Sequence, residues 1–172
     1  IGELSGAATA ALRGGTTGSN LVLTCEGGGL GTDAHFAGAA SAQDGDSTTA
    51  LRKVGAGTWT IGGACTHRGG TTVSNGLLRI NGALNESFLT VAAGATAGGT
   101  GSVRRGAYVG TGASLSPGDG ITPAGTLTVS NGLTLAAPAM RFDLSNSPTG
   151  ANDRIQMQGG LLTMSGTQSY LF

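Results

Sequence analysis

Short stretches of strict alternation are the first regularity along the chain. Thr126-Leu127-Thr128-Val129 places an apolar side chain at every second position, Ser130-Asn131-Gly132 interrupts, and Leu133-Thr134-Leu135 resumes. Period two over a few residues, ended by Gly or Asn, predicts short half-buried strands joined by turns. Glycine recurs at short intervals over long stretches, and each would cost a helix about 1 kcal/mol against Ala, so helices are not expected. Read alone, Asn131-Gly132 predicts a two-residue hairpin. The longer spacing favours another arrangement. An apolar-x-x-Gly unit occurs as Val54 with Gly57, Val73 with Gly76, Val91 with Gly94, Val109 with Gly112 and Val129 with Gly132. The unit thus returns at a near-constant interval, within the range of a solenoid repeat. Met157 with Gly160 follows after a longer gap, across Ala137-Pro138 and Ser147-Pro148-Thr149-Gly150, which read as an outward loop. The hexapeptide Thr72-Val73-Ser74-Asn75-Gly76-Leu77 returns unchanged as Thr128-Val129-Ser130-Asn131-Gly132-Leu133.

A hairpin leaves this constant spacing unexplained, whereas a solenoid requires it. The expectation is an all-β, right-handed parallel β-helix of about eight coils, each of about 18–20 residues and rising ~4.8 Å. Val54, Val73, Val91, Val109 and Val129 are expected to stack as one inward column, with Thr, Ser and Asn outward. Gly57, Gly76, Gly94, Gly112 and Gly132 are expected at corners, where left-handed backbone angles cost glycine nothing. Residues 50–172 read as one continuous solenoid domain, and residues 1–49 as irregular coils or a cap.

Composition narrows the function. Nine Lys and Arg balance nine Asp and Glu, which argues against nucleic acid or an anionic membrane as a partner held by bulk charge. No apolar run approaches the length a membrane-spanning helix needs, so no helical membrane insertion of this segment is expected. Gly has no strict period of three, and with only four Pro this excludes collagen. The opening Ile1-Gly2-Glu3-Leu4 has neither an initiator Met nor a leader, the character of a mature or trimmed piece.

The segment from Lys53 through Val54-Gly55-Ala56-Gly57-Thr58-Trp59-Thr60-Ile61-Gly62-Gly63-Ala64, then Gly69-Gly70-Thr71-Thr72-Val73 and Gly76-Leu77-Leu78, resembles the autotransporter-associated β-strand repeat. Val91 to Gly101, Leu115-Ser116-Pro117-Gly118, Gly125 to Val129, Asp153-Arg154-Ile155 and Gly160-Leu161 resemble the passenger-associated repeat that accompanies it. The likeness covers about Ala50 to Met164, and His35-Phe36-Ala37-Gly38 resembles the start of an earlier copy. Cys65-Thr66-His67-Arg68 stands where the pattern carries Asn-x-Tyr-x, a changed corner. The resemblance implies an exported β-helix at the bacterial outer surface or outside the cell, acting as an adhesin, a stalk or a matrix component. No translocator barrel lies within this sequence, so the expectation is that it was cleaved away or that the repeat serves another use.

Candidate chemistry is sparse, and no cofactor, metal or catalytic residue is assigned. Gly28-Gly29-Leu30-Gly31-Thr32-Asp33 matches the start of a calcium nonapeptide, but it occurs once and the motif works by stacking. Gly45-Asp46-Ser47 with His67 and Asp44 or Asp46 is the one conceivable triad, and an exposed polar loop is the better reading. The nine acids are dispersed, unlike the clustered Asp of polysaccharide-cleaving β-helices, so the chain is not expected to be an enzyme. Arg52-Lys53 and Arg104-Arg105 read as solvated outer-face residues in weak surface pairs. Trp59 and most other aromatics read as plugs of the coil interior or end caps. Asn85-Glu86-Ser87 is a sequon of little weight in a bacterial protein.

Cys25 and Cys65 are a candidate disulfide only if a single expanded coil lies between them, since Cα atoms two rungs apart stand ~9.6 Å apart and a bridge needs about 7 Å. A solenoid exposes an open strand edge at each end. Ala7 to Leu12 offers one turn of cap, and Tyr170-Leu171-Phe172 is an apolar candidate assembly end. The expected partner is therefore another copy, bound head to tail, and such contacts propagate into filaments unless rotation closes a ring. Glycans or surface proteins are the alternative partners, as for an adhesin passenger.

Overall fold

The computed structural model describes residues 4–14, 20–26, 34–42, 48–118, 124–146 and 150–172, with the backbone alone for 14, 20–26, 42 and 48. The chain visits three sheets in rotation. The first face holds β2 (Asn20–Glu26), β5 (Thr48–Val54), β8 (Thr71–Val73), β11 (Leu89–Val91), β14 (Ala107–Val109), β17 (Leu133–Ala136) and β20 (Leu162–Ser165). The second holds β3 (Ala34–Phe36), β6 (Thr58–Ile61), β9 (Gly76–Ile80), β12 (Ala95–Gly99), β15 (Ser114–Pro117), β18 (Ala139–Arg141) and β21 (Ser169–Leu171). The third holds β7 (Ala64–Cys65), β10 (Ala83–Leu84), β13 (Ser102–Val103), β16 (Thr126–Ser130) and β19 (Arg154–Gln158). β1 (Ala11–Gly14) pairs with β4 (Ala39–Ala42), and Thr66 N donates to Ala40 O to join that pair to the third face. Among the described residues the named strands pair in parallel, for example β8 with β11 and β16 with β19, and one isolated antiparallel bridge joins Gly99 and Gly118. The fold is a parallel β-helix. The hairpin at Asn131-Gly132 does not form, because β16 and β17 belong to different sheets.

Each coil lays down three strands, and alternate side chains of each strand point into a shared lumen. On the first face the register stacks Lys53, Val73, Val91, Val109, Leu135 and Met164. On the second face it stacks Trp59, Leu78, Ala97, Leu115, Met140 and Tyr170. Cys65, Leu84, Val103, Val129 and Met157 stack on the third. From Trp59 to Leu135 these positions are buried.

Two members of the expected valine column lie elsewhere. Val54 is half-buried and pairs with Glu26, while Lys53 takes the inward place. Val129 stacks on Val103 in the third face, and the coil neighbour of Val109 is Leu135. The repeated hexapeptide explains the second error. Its first copy turns the corner from the first face to the second, and its second copy turns the corner from the third face to the first. Among the described residues the two longer faces carry seven strands each, so there are about seven rungs where eight were expected. Of the segment 1–49, the described strands keep the three-face order, while the step from Asn20 to Thr48 is longer than in the regular coils.

The regular coils step from Leu51 to Thr71, then to Leu89 and to Ala107, a nearly constant advance along the chain. Later coils lengthen at one corner, between the second and third faces, where β15 gives way to β16 and β18 to β19. Ala137-Pro138, read as part of an outward loop, instead forms the corner between β17 and β18, with Ala137 at φ 52°. Ser147 to Thr149 lie outside the described residues. Asp153, almost buried, ties the two long corners together: its carboxylate accepts from Gly125 N at 2.7 Å and Asp143 N at 2.9 Å.

Glycine serves two purposes at the corners. At Gly94 the backbone has φ +77° and open space beside it, the conformational use expected from the sequence. Gly57 departs from that expectation, because the left-handed residue of its corner is Gly55. The second use is close approach. Gly38, Gly63, Gly82 and Gly101 stack where the shorter coils pass from the second face to the third. A Cβ on any of them would overlap the carbonyl oxygen of the residue one rung below, respectively Ala10, Gly38, Gly63 and Gly82.

Candidate functional site

Two features stand out from the regular stack: a polar interior in its first regular coils and an exposed apolar rung at β19–β21. The polar interior begins with Lys53. Its side chain is fully buried, continuing the alternation Thr49, Leu51, Lys53 while Arg52 points out and donates from Nε to Ser74 Oγ at 3.1 Å. The ammonium donates to Val54 O at 2.8 Å, Gly55 O at 2.7 Å and Asn75 O at 3.1 Å. Burial lowers the lysine's pKa from its ordinary value. Three convergent carbonyls offset that cost, and they belong to the corners of two consecutive coils. Lys53 therefore clamps adjacent corners together. It is not the solvated outer-face residue expected from Arg52-Lys53. The alternation phase was the available signal for this placement.

Replacing the ammonium while keeping the stem isolates this clamp. Lys53→Met is expected to lose about 2 kcal/mol, because buried carbonyls left without donors each cost on the order of 1–3 kcal/mol and the apolar stem still packs. Urea unfolding measures it, and a stability equal to that of the parent would remove the clamp from the account.

His67 is sealed in the same lumen. Its Nε2 lies 2.8 Å from Thr71 Oγ1, which lies 2.8 Å from Ser87 Oγ. Burial pushes the imidazole pKa down to about 4. The second ring nitrogen, the Thr49 hydroxyl and the Trp59 indole N–H are buried without a partner among the described residues. A relay of imidazole and two hydroxyls resembles hydrolytic machinery only in composition. It has no solvent face, and Ser47, Asp44 and Asp46, its expected companions, lie outside the described residues, as does the Gly28–Asp33 motif. Ser87, part of the sequon, is spent on this chain of contacts.

The second feature is the rung formed by β19, β20 and β21. Its lumen-facing residues pack on a full rung on one side, and no described residue covers them on the other. Leu162, Met164 and Tyr170 are each about half exposed, and Phe172 is 82% exposed. A cavity of about 340 Å³ is lined by Leu133, Leu135 and Met140 of the rung below and by Met157, Leu162, Met164 and Tyr170 of this rung. Phe172 stacks on Tyr170 with centroids 6.5 Å apart and on Phe142 at 6.4 Å. Of the candidate assembly residues, Tyr170 and Phe172 sit together on this apolar surface, whereas Leu171 pairs with Arg141 and lies on the outer side of the second face.

The other sequence candidates fall apart spatially. Cys65 is a free, buried thiol on the third face, with its pKa raised by burial, while Cys25 lies on the first face with its side chain outside the described residues. The coil geometry assigns the two cysteines to different sheets, so the candidate bridge to Cys25 is not made at Cys65. Arg105 forms the expected surface pair, 3.4 Å from Glu86. Trp59 and Phe36 plug the interior, whereas Phe88 and Tyr108 are exposed. Among the described residues no group of three or more His, Cys, Asp or Glu is placed to hold a metal ion, and no helix is long and apolar enough to cross a membrane.

No curated protein and no solved structure matches the chain at a significant level. One family model does match, the passenger-associated-transport-repeat, over residues 51–80. That span runs from β5 to the end of β9 and contains the Lys53 clamp, Trp59 and His67. The β-helix therefore carries, in its first regular coils, a passenger-associated-transport-repeat of the autotransporter passenger type.

Proposed function

We propose that this chain is a stretch of exported, non-catalytic β-helical rod at the cell surface or in the extracellular matrix, and that it associates end to end with further copies. The observation that carries the reading is the apolar rung at β19–β21. A strand edge without a neighbour templates further pairing, and the last rung described presents Leu162, Met164 and Tyr170 about half exposed around an apolar cavity. The surface fits another rung of the same kind, which would pair in parallel with β19, β20 and β21 and fill that space. The passenger-type repeat supports export. The sealing of His67 supports a structural role, since no substrate in water reaches it.

Electron microscopy of the purified chain at rising concentration tests the reading. The expected result is filaments with an axial repeat of about 34 Å, from seven rungs at ~4.8 Å. Met164→Lys places a charge on the open rung at a half-exposed position, and is expected to abolish the filaments while leaving the melting temperature within a few degrees. Short rods at every concentration would overturn end-to-end association.

A further inference from the structure

The outer surface of the second face carries a trough that the rod reading does not use. Its outward columns follow from the register. One runs Leu77, Thr96, Ser114, Ala139 and the other Arg79, Gly98, Ser116, with Arg141 next above. The two middle rungs, β12 and β15, present only Thr, Gly and Ser outward. The rungs on either side, β9 and β18, each present an arginine. Small side chains between large ones leave a depression of about 380 Å³, floored by Thr96, Gly98, Ser114 and Ser116 and flanked by Arg79 and Arg141.

Three observations specify what this trough accepts. Neither Arg79 nor Arg141 has a hydrogen-bond or ion-pair partner among the described residues, and no Asp or Glu lines the depression. In a chain of zero net charge, this is a local cationic site and not part of a general field. The arginines stand three rungs apart, about 14 Å at ~4.8 Å per rung, with hydroxyls between them. Finally, the strands of the floor are interior to a seven-stranded sheet, so their backbone groups are already paired and a peptide cannot add as a strand. Guanidinium groups bind carboxylate and sulfate oxygens through paired N–H donors, and Ser and Thr hydroxyls exchange hydrogen bonds with sugar hydroxyls.

We propose that this trough binds a linear acidic polysaccharide lying along the rod axis, with one anionic group on Arg79, another on Arg141, and neutral hydroxyls over Thr96, Ser114 and Ser116. The site lies on the side of the rod, bordered at one end by Leu171 of β21.

Isothermal titration with four oligomers tests it: oligogalacturonate, sulfated dextran, unmodified dextran and poly-glutamate. At least one of the two acidic sugars is expected to bind, which of them telling carboxylate from sulfate recognition. Unmodified dextran and poly-glutamate are expected to bind at least tenfold more weakly. Arg79→Gln and Arg141→Gln should each lower the affinity about tenfold, the worth of one charge-assisted contact. Ser116→Leu, which fills the floor and leaves both arginines, should abolish binding. Arg154→Gln, outside the trough, should change nothing, and melting curves confirm that each variant is folded. Failure of both acidic sugars to bind, affinity unchanged by the two arginine substitutions, or equal binding of dextran or poly-glutamate would each overturn the proposal.

Discussion

Gly82→Ala is expected to destabilise the protein by about 3 kcal/mol or more, a large effect for the addition of a single methyl group. The added Cβ would meet the carbonyl oxygens of Gly63 and Gly62. Overpacking a flexible core costs about 1–3 kcal/mol because side chains can move aside. Here the obstacle is backbone, and the oxygen it would displace accepts the ladder bond from Ala83 N at 3.1 Å. Making room separates two rungs at that corner. Gly94→Ala is the matched control. It carries the strain of a left-handed residue, about 1–2 kcal/mol, with nothing within 4 Å of the new carbon. In a chain of this size each kcal/mol moves the melting temperature by about 2–4 °C, so calorimetry should separate the two variants by several degrees. A Gly82→Ala protein as stable as Gly94→Ala would show that the corner is looser than its geometry implies.

Acid is expected to weaken the fold through His67. The imidazole is neutral in the folded chain down to a pKa of about 4, against an ordinary value of 6.5. Between these two values the unfolded chain takes up a proton that the folded chain refuses. Stability from this residue is therefore complete above about pH 6.5, falls as pH drops, and is exhausted near pH 4. The span corresponds to about 3 kcal/mol, at about 1.36 kcal/mol per unit. Burial is the cause, since the lumen replaces water with apolar side chains and offers the ring one contact, Thr71 Oγ1. Urea midpoints measured between pH 7 and pH 4 should fall steeply for the parent and much less for His67→Gln. Parallel curves for the two would mean that His67 protonates without resistance.

Much of the architecture was legible because the constraints that build it act locally. Alternation located the strands, glycine located the corners, and the interval between Val73, Val91 and Val109 correctly measured a coil. The same reasoning failed at Val54 and Val129 for a physical reason. Glycine occurs at corners of more than one kind, so an apolar-x-x-Gly unit marks a corner without saying which one. Lys53 was misread because a lysine is normally solvated, and only the carbonyls of two successive corners make its burial tolerable. The second use of glycine was invisible, because nothing around Gly63, Gly82 or Gly101 in sequence reveals a carbonyl lying one rung away. The trough needed the register as well. Arg79 and Arg141 are far apart in sequence, and only the stacking of β9, β12, β15 and β18 sets them on one column.

The two copies of the hexapeptide bear on how such a rod changes length over generations. The same six residues close a corner between the first and second faces at 72–77 and between the third and first at 128–133. The same short segment thus serves at two of the three kinds of corner. Genetic duplication or deletion therefore need not respect whole turns. A copied segment inserted out of phase could still find a parallel neighbour above and below, with the surplus held in a longer corner of the kind seen before β16 and β19. The smallest segment that recurs unchanged in this rod is therefore a corner with its flanking strand ends, not a whole turn.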